Sequence, residues 1–151
     1  MFLLVNKLKV QTPQLPFAKV ATKILGPKYT LGLVLVSPLE CRKLNKTYRH
    51  HDYATNVLSF PLSPTEGDIV INLTQARAEA PKYSHTELDH TLFLFIHGCL
   101  HLKGLTHGSI MNKEEEKFFN FFASHVPSNN HRSRYRHELP ASGRVRSKKG
   151  R

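Results

Sequence analysis

The chain has no tryptophan, only two methionines and only two cysteines in 151 residues. Cys41 and Cys99 lie far apart and form no C-x-x-C spacing. That excludes a disulfide-stapled scaffold and a cysteine-rich metal site, and two reduced thiols are expected. No apolar run approaches the roughly 18 residues that span a bilayer. The run from Phe2 to Val5 is shorter than a signal-peptide core of about 7–15 residues, and no basic residue precedes it. These features predict a soluble, cytoplasmic chain with no membrane partner. Acid is also scarce: 11 Asp and Glu stand against 22 Lys and Arg, a net charge of +11. The excess is uneven. Residues 128–151 hold eight Lys or Arg and one acid, Glu138. A mildly basic body with a strongly basic tail points to a polyanion, with RNA or DNA the first candidates for a cytosolic chain.

What is present in quantity is apolar periodicity. Residues 2–10 alternate loosely and 29–36 ("YTLGLVLV") are β-branched and apolar, as in strands. Between them "PFAKVATKILG" has helical spacing through Phe17, Val20, Ile24 and Leu25. Ser37-Pro38 places an N-cap and an N1 proline before a second helix, with Leu39, Leu44 and Tyr48 expected inward. "NVLSF" (56–60), closed by Pro61, and "DIVIN" (68–72) suit a hairpin with a longer loop. A short helix is expected over 74–82. Ser84 and Glu87 form an S-x-x-E capping box before a helix apolar around most of its circumference, hence buried. Gly104 is placed to end it. A further amphipathic segment, 112–126, is expected to pack outside through Phe118, Phe119 and Phe122. Element order predicts an α+β domain over 1–127: a small mixed β-sheet packed against helices, with a central buried helix. The segment 128–151 has little to bury and is expected to be disordered on its own.

That central helix carries "HGCLHLKGLTH". Residues four apart on a helix differ by about 40° in direction, so His97 and His101 share a face. Past the Gly104 stop, His107 can return as a third ligand. Each histidine alone reads as a hydrogen-bonded core or loop residue; the triple with its glycine turn reads as a metal site. Three imidazoles leave a fourth position open, the pattern of catalytic zinc, with nickel or copper compatible. Metzincin peptidases share the spacing but place a glutamate after the first histidine as general base. Here that residue is Gly98, and its sequence neighbours Cys99, Leu100, Leu102 and Lys103 supply no carboxylate. Peptide hydrolysis lacks its base. Phosphodiester cleavage, where a metal stabilises charge on a phosphoryl oxygen, agrees with the basic surface.

Several further motifs stand in order. "LNKTYRHHDYATNVLSFPL" (44–62), "EGDIVIN" (66–72), the histidine motif, and Met111 with the acids Glu114 to Glu116 together resemble the YbeY family of rRNA maturation factors. The resemblance covers roughly residues 30–124. It implies a metal-dependent, single-strand endoribonuclease acting in rRNA maturation and ribosome assembly. The expected partners are an rRNA precursor and a ribosomal particle or protein. It implies His97, His101 and His107 as ligands of one divalent metal and Arg49 as the catalytic arginine. A guanidinium independently suits a phosphate, which it can hold with two hydrogen bonds. Asn56, Ser59 and Asp68 match family positions and are expected to shape the site. Thr106 stands where the family carries an acid; its hydroxyl can accept an imidazole N–H, without the charge. A second reading is a non-catalytic assembly factor whose metal is structural and whose tail grips RNA.

Overall fold

Four strands form one sheet in the order β1-β2-β4-β3: β1 Phe2–Asn6, β2 Thr30–Val36, β3 Val57–Ser63 and β4 Glu66–Asn72. The structure is a computed structural model and describes residues 1–124; the expectations for 128–151 lie outside the described residues. β1 and β4 both run parallel to β2, and β3 runs antiparallel to β4, so the sheet is mixed. Its five α-helices are α1 Phe17–Leu25, α2 Pro38–Arg49, α3 Leu73–Glu79, α4 Glu87–Leu102 and α5 Ser109–Ala123. This is the expected α+β architecture. No helix among the described residues is long and apolar enough to cross a membrane.

Period-two alternation divides the core between the two sheet faces. Leu31, Leu33, Leu35, Ile69 and Ile71 face one side and join Phe17 of α1, Leu92, Phe95 and Cys99 of α4, and Phe119 of α5. Val36, Leu58 and Val70 face the other, against Cys41 of α2. The two cysteines are thus buried, free and on opposite sides of the sheet. Phe17 meets Phe95 edge-on with ring centroids 4.9 Å apart, a pairing worth about 0.5–1.5 kcal/mol beyond its area. α4 lies between sheet and α5, which is why 11 of its 16 residues are buried.

Several local expectations shift. In α2 the inward residues are Cys41 and Asn45, with Leu44 partly buried, while Leu39 and Tyr48 are 61% and 63% exposed. The stripe is rotated because Asn45 turns inward to donate through Nδ2 to the Tyr53 carbonyl, 2.9 Å away, anchoring the following loop. Pro61 does not close β3. That strand continues to Ser63 through a register shift, and an edge strand tolerates a proline's missing N–H. The hairpin is therefore tight, with only Pro64 and Thr65 between the strands. The helix expected over 74–82 divides into α3 and a 3-10 turn, Ala80–Tyr83.

The cap of α4 is Thr86, whose hydroxyl accepts from the Asp89 N–H at 3.0 Å. Ser84 instead ends the 3-10 turn at φ 57°. The chain must reverse there before the helix can begin. At the other end Lys103 is the cap and Gly104, at φ +108°, follows it, a backbone conformation that favours glycine.

Candidate metal centre

α4 brings His97 and His101 onto one face, and the Gly104 reversal brings His107 back to meet them. One ligand atom from each of the three imidazoles lies within 4.8 Å of the other two. The His97 and His101 Nε2 atoms are 3.1 Å apart. Two nitrogens on a tetrahedral zinc at 2.0–2.1 Å stand about 3.3 Å apart, so the spacing is close to that of a ligand pair.

The tautomers follow from the other ring nitrogens. His97 Nδ1 donates to the carboxylate of Glu115 on α5. His101 Nδ1 donates to the Leu105 carbonyl at 3.1 Å. With protons held at both Nδ1 positions, neutral rings leave two Nε2 lone pairs facing each other. Lone pairs so close repel, and a shared cation would relieve that repulsion. Convergence of His107 on the same point fits a cation. Burial, then the neighbouring His97, holds the His101 imidazole down at about 4 from its usual 6.5, against the opposing Leu105 bond. His101 is therefore neutral near pH 7, the form that ligates. The donor set, three imidazole nitrogens with a partly exposed mouth, fits a borderline divalent ion.

Glu115 is the residue that sequence spacing missed. It is 3% exposed yet acidic, in a segment where acids read as a solvated face. Only the packing of α5 on α4 sets its carboxylate behind His97. A metal-binding histidine commonly donates its second N–H to a carboxylate, which fixes the ring and raises its basicity. Thr106, expected to serve that purpose, is exposed and has no hydrogen bond to a histidine among the described residues. The single signal available in sequence was an acid at the buried phase of the α5 helix, in register with Met111, Phe118, Phe119 and Phe122.

Gly98 does not face the metal side. A Cβ built there would sit 3.1 Å from Ile69 Cδ1 and 3.2 Å from Ser59 Oγ, against the sheet. The peptidase's general-base position is therefore used for helix–sheet contact. Ser59 Oγ donates to the Gly98 carbonyl at 3.1 Å, tying edge strand β3 to α4 beside the histidines.

Arg49, at the end of α2, donates through Nη2 to the Ser59 carbonyl, and its guanidinium lies 5.3 Å from the Phe60 ring centre. It occupies an acceptor on the open edge of β3, which guards that edge from pairing. Its positive charge is felt at His101, where it disfavours protonation. Arg49 thus lies near enough to act on the charge of His101, and Ser59 is tied to the turn of α4 that carries His97. Asn56 joins a different group: its Nδ2 donates to Glu79 Oε1 at 3.0 Å, and Glu79 also accepts from His90 Nε2 at 3.1 Å. His90 in turn meets His85 at 3.0 Å, Nδ1 to Nδ1. This second polar network joins the residue before β3, and α3, to α4. Asp68 lies on the α2 side of the sheet, cross-strand from Phe60 and beside Gly32, away from the histidine face.

The family model for "Endoribonuclease YbeY" matches residues 7–123. A Helicobacter pylori protein named endoribonuclease YbeY is 39% identical over 116 residues, covering 74% of this chain and 82% of its own. A Pseudomonas putida protein of the same name is 45% identical over 91 residues, covering 55% and 57%. A Mycoplasma capricolum one is 36% identical over 119 residues, covering 66% and 71%. Among solved structures, a Thermotoga maritima protein determined in solution has a TM-score of 0.63 at 23% identity, covering 83% of this chain and 91% of that one. That likeness bears on the fold.

Proposed function

The chain belongs to the endoribonuclease YbeY family, and from that membership we propose a metal-dependent endoribonuclease that cleaves single-stranded precursors of ribosomal RNA. The observation that carries this reading is the triad of His97, His101 and His107 with their ligand atoms within 4.8 Å. In this reading the three histidines hold one divalent ion, zinc first. When bound, such an ion supplies Lewis acidity and lowers the pKa of a water it holds to about 7. Glu115 keeps the His97 proton on Nδ1, and the Leu105 carbonyl keeps that of His101, so both Nε2 atoms stay available. Arg49 turns from the Ser59 carbonyl to grip a phosphate with two N–H groups and stabilises negative charge as it develops there. Gly98 supplies no proton acceptor, which suits a reaction whose charge is handled by the cation and Arg49. The net charge of +11, concentrated toward residue 151, supports a polyanionic substrate and association with ribosomal particles in the cytoplasm. A non-catalytic assembly factor is not favoured in a family whose curated members are named endoribonucleases.

The test compares the zinc-loaded protein, its His101→Ala variant and a chelator-treated form on a single-stranded RNA oligonucleotide. Cleavage by the first alone, restored to the chelated form by added metal, is expected. Equal cleavage by all three would identify a contaminant, and none by the loaded parent would defeat the assignment for that substrate.

A further inference from the structure

Tyr48 is a large aromatic that the fold does not bury. It sits on the last turn of α2 with 63% of its surface exposed, while the inward side of that helix is Cys41, Leu44 and Asn45. Its hydroxyl makes no hydrogen bond among the described residues. The ring is nonetheless supported, because Phe60 meets it edge-on with centroids 5.6 Å apart and planes at 65°. Phe60 also lies under the Arg49 guanidinium, and Arg49 reaches around the β3 edge to the Ser59 carbonyl, one residue before Phe60. Ser59 in turn bonds to α4 at Gly98, directly after His97. A chain of contacts therefore links the turn of α4 that carries His97, through Ser59 and Arg49 at the β3 edge, to an exposed aromatic face. Beyond it α2 presents Arg42, Lys43 and Lys46 to solvent, with Asp52 as the acid paired to the first and last of these.

We propose that Tyr48, braced by Phe60, is a base-stacking platform for a nucleotide adjacent to the phosphate held at Arg49. Single-stranded RNA then crosses the sheet edge from the histidine triad toward the basic side of α2. The proposal rests on the nuclease reading for the position of the phosphate. Its chemistry is general. Every base offers a π-face to an exposed aromatic ring, and single-strand binders combine such rings with a basic track. A base pressed on Tyr48 also explains how the substrate is recognised as single-stranded, because a paired and stacked base has no free face to offer.

The experiment measures equilibrium binding of a labelled single-stranded RNA, and its cleavage, by the zinc-loaded full chain, Tyr48→Phe and Tyr48→Leu. Each is run on intact RNA and on a series with one abasic position per strand. Because the chain has no tryptophan, tyrosine fluorescence is visible, and the part of its quenching by RNA that the parent shows and both Tyr48 variants lack reports stacking at Tyr48 among the five tyrosines. Tyr48→Phe is expected to bind within about twofold of the parent, and Tyr48→Leu about 5- to 150-fold more weakly. At one abasic position the parent should weaken to match Tyr48→Leu, and the variant should lose nothing further. Equal losses for both proteins at every abasic position, or unchanged binding by Tyr48→Leu, would overturn the proposal and leave this face to a protein partner. If binding and quenching behave as expected but the loaded parent does not cleave, the nuclease reading fails and the stacking platform stands. Circular dichroism of Tyr48→Leu should match the parent, since the exposed ring contributes little to the core.

Discussion

Replacing Glu115 is the sharpest test of the metal centre, because the residue touches no substrate and supplies no ligand. Its carboxylate is buried behind His97 and accepts the Nδ1 proton. Glu115→Gln keeps the volume but removes the charge. The amide can still accept through its oxygen, or it can turn and present N–H, which would drive the His97 proton to Nε2 and block ligation. Losing such an outer partner typically weakens metal affinity by 10- to 100-fold, or about 1.4–2.8 kcal/mol. Glu115→Ala should cost at least as much in affinity. It also leaves the His97 N–H without its acceptor, a further loss of about 1–3 kcal/mol in fold stability. Zinc affinity can be read by competition against a chromophoric chelator near neutral pH, with thermal unfolding followed in parallel on the metal-free proteins. Zinc affinity within twofold of the parent for both variants, with the fold intact, would refute the claim that Glu115 sets the His97 tautomer.

Gly98→Glu, which restores the peptidase motif by sequence, should not create a peptidase. It drives a carboxylate into Ile69 and Ser59 and should destabilise the fold by about 3 kcal/mol or more, read by urea denaturation. A stable, folded variant would show that position 98 faces the cation after all. Thr86→Ala should cost about 1 kcal/mol and Ser84→Ala less than half of that, because Thr86 caps α4; the reverse order in thermal melts would restore the S-x-x-E box. Acid should loosen the second network. Burial first, then His90, holds His85 at about 3 rather than 6.5. The unfolded chain therefore takes up a proton below pH 6.5 that the fold refuses, so stability is complete above 6.5 and falls as the pH drops toward 3. Burial raises Glu79, but hydrogen bonds from His90, Asn56 and Gln75 outweigh it and hold its carboxyl below 4.5, which adds a loss of the same sign at lower pH. His85 alone should remove up to about 2.5 kcal/mol between pH 6.5 and 4.5. A His85→Phe variant, which keeps the ring stacked on Phe119, should flatten that slope. An unflattened slope would remove His85 from the account.

Periodicity and punctuation made the elements and the triad legible. Spacing of four on a helix and a glycine stop are backbone geometry, so they set His97 and His101 on one face and turn the chain so that His107 can return to them. Alternation in "YTLGLVLV" and "DIVIN" likewise gave buried strands. Two of the failures involve choices among near neighbours. Thr86 rather than Ser84 caps α4 because the 3-10 turn consumes Ser84, and Pro61 stays in β3 because that strand is an edge. Neither fact has a local signature.

The sequence by itself determined the α+β class, the three imidazoles and the absence of a general base after the first of them. Only the tertiary structure decided which groups serve those imidazoles. Glu115 behind His97, Gly98 against the sheet, Arg49 around the β3 edge and Tyr48 turned outward all depend on how separate elements dock. Residues that meet across such docking are distant in the chain, and a pattern read along the backbone carries no record of which side chain from another element will lie opposite.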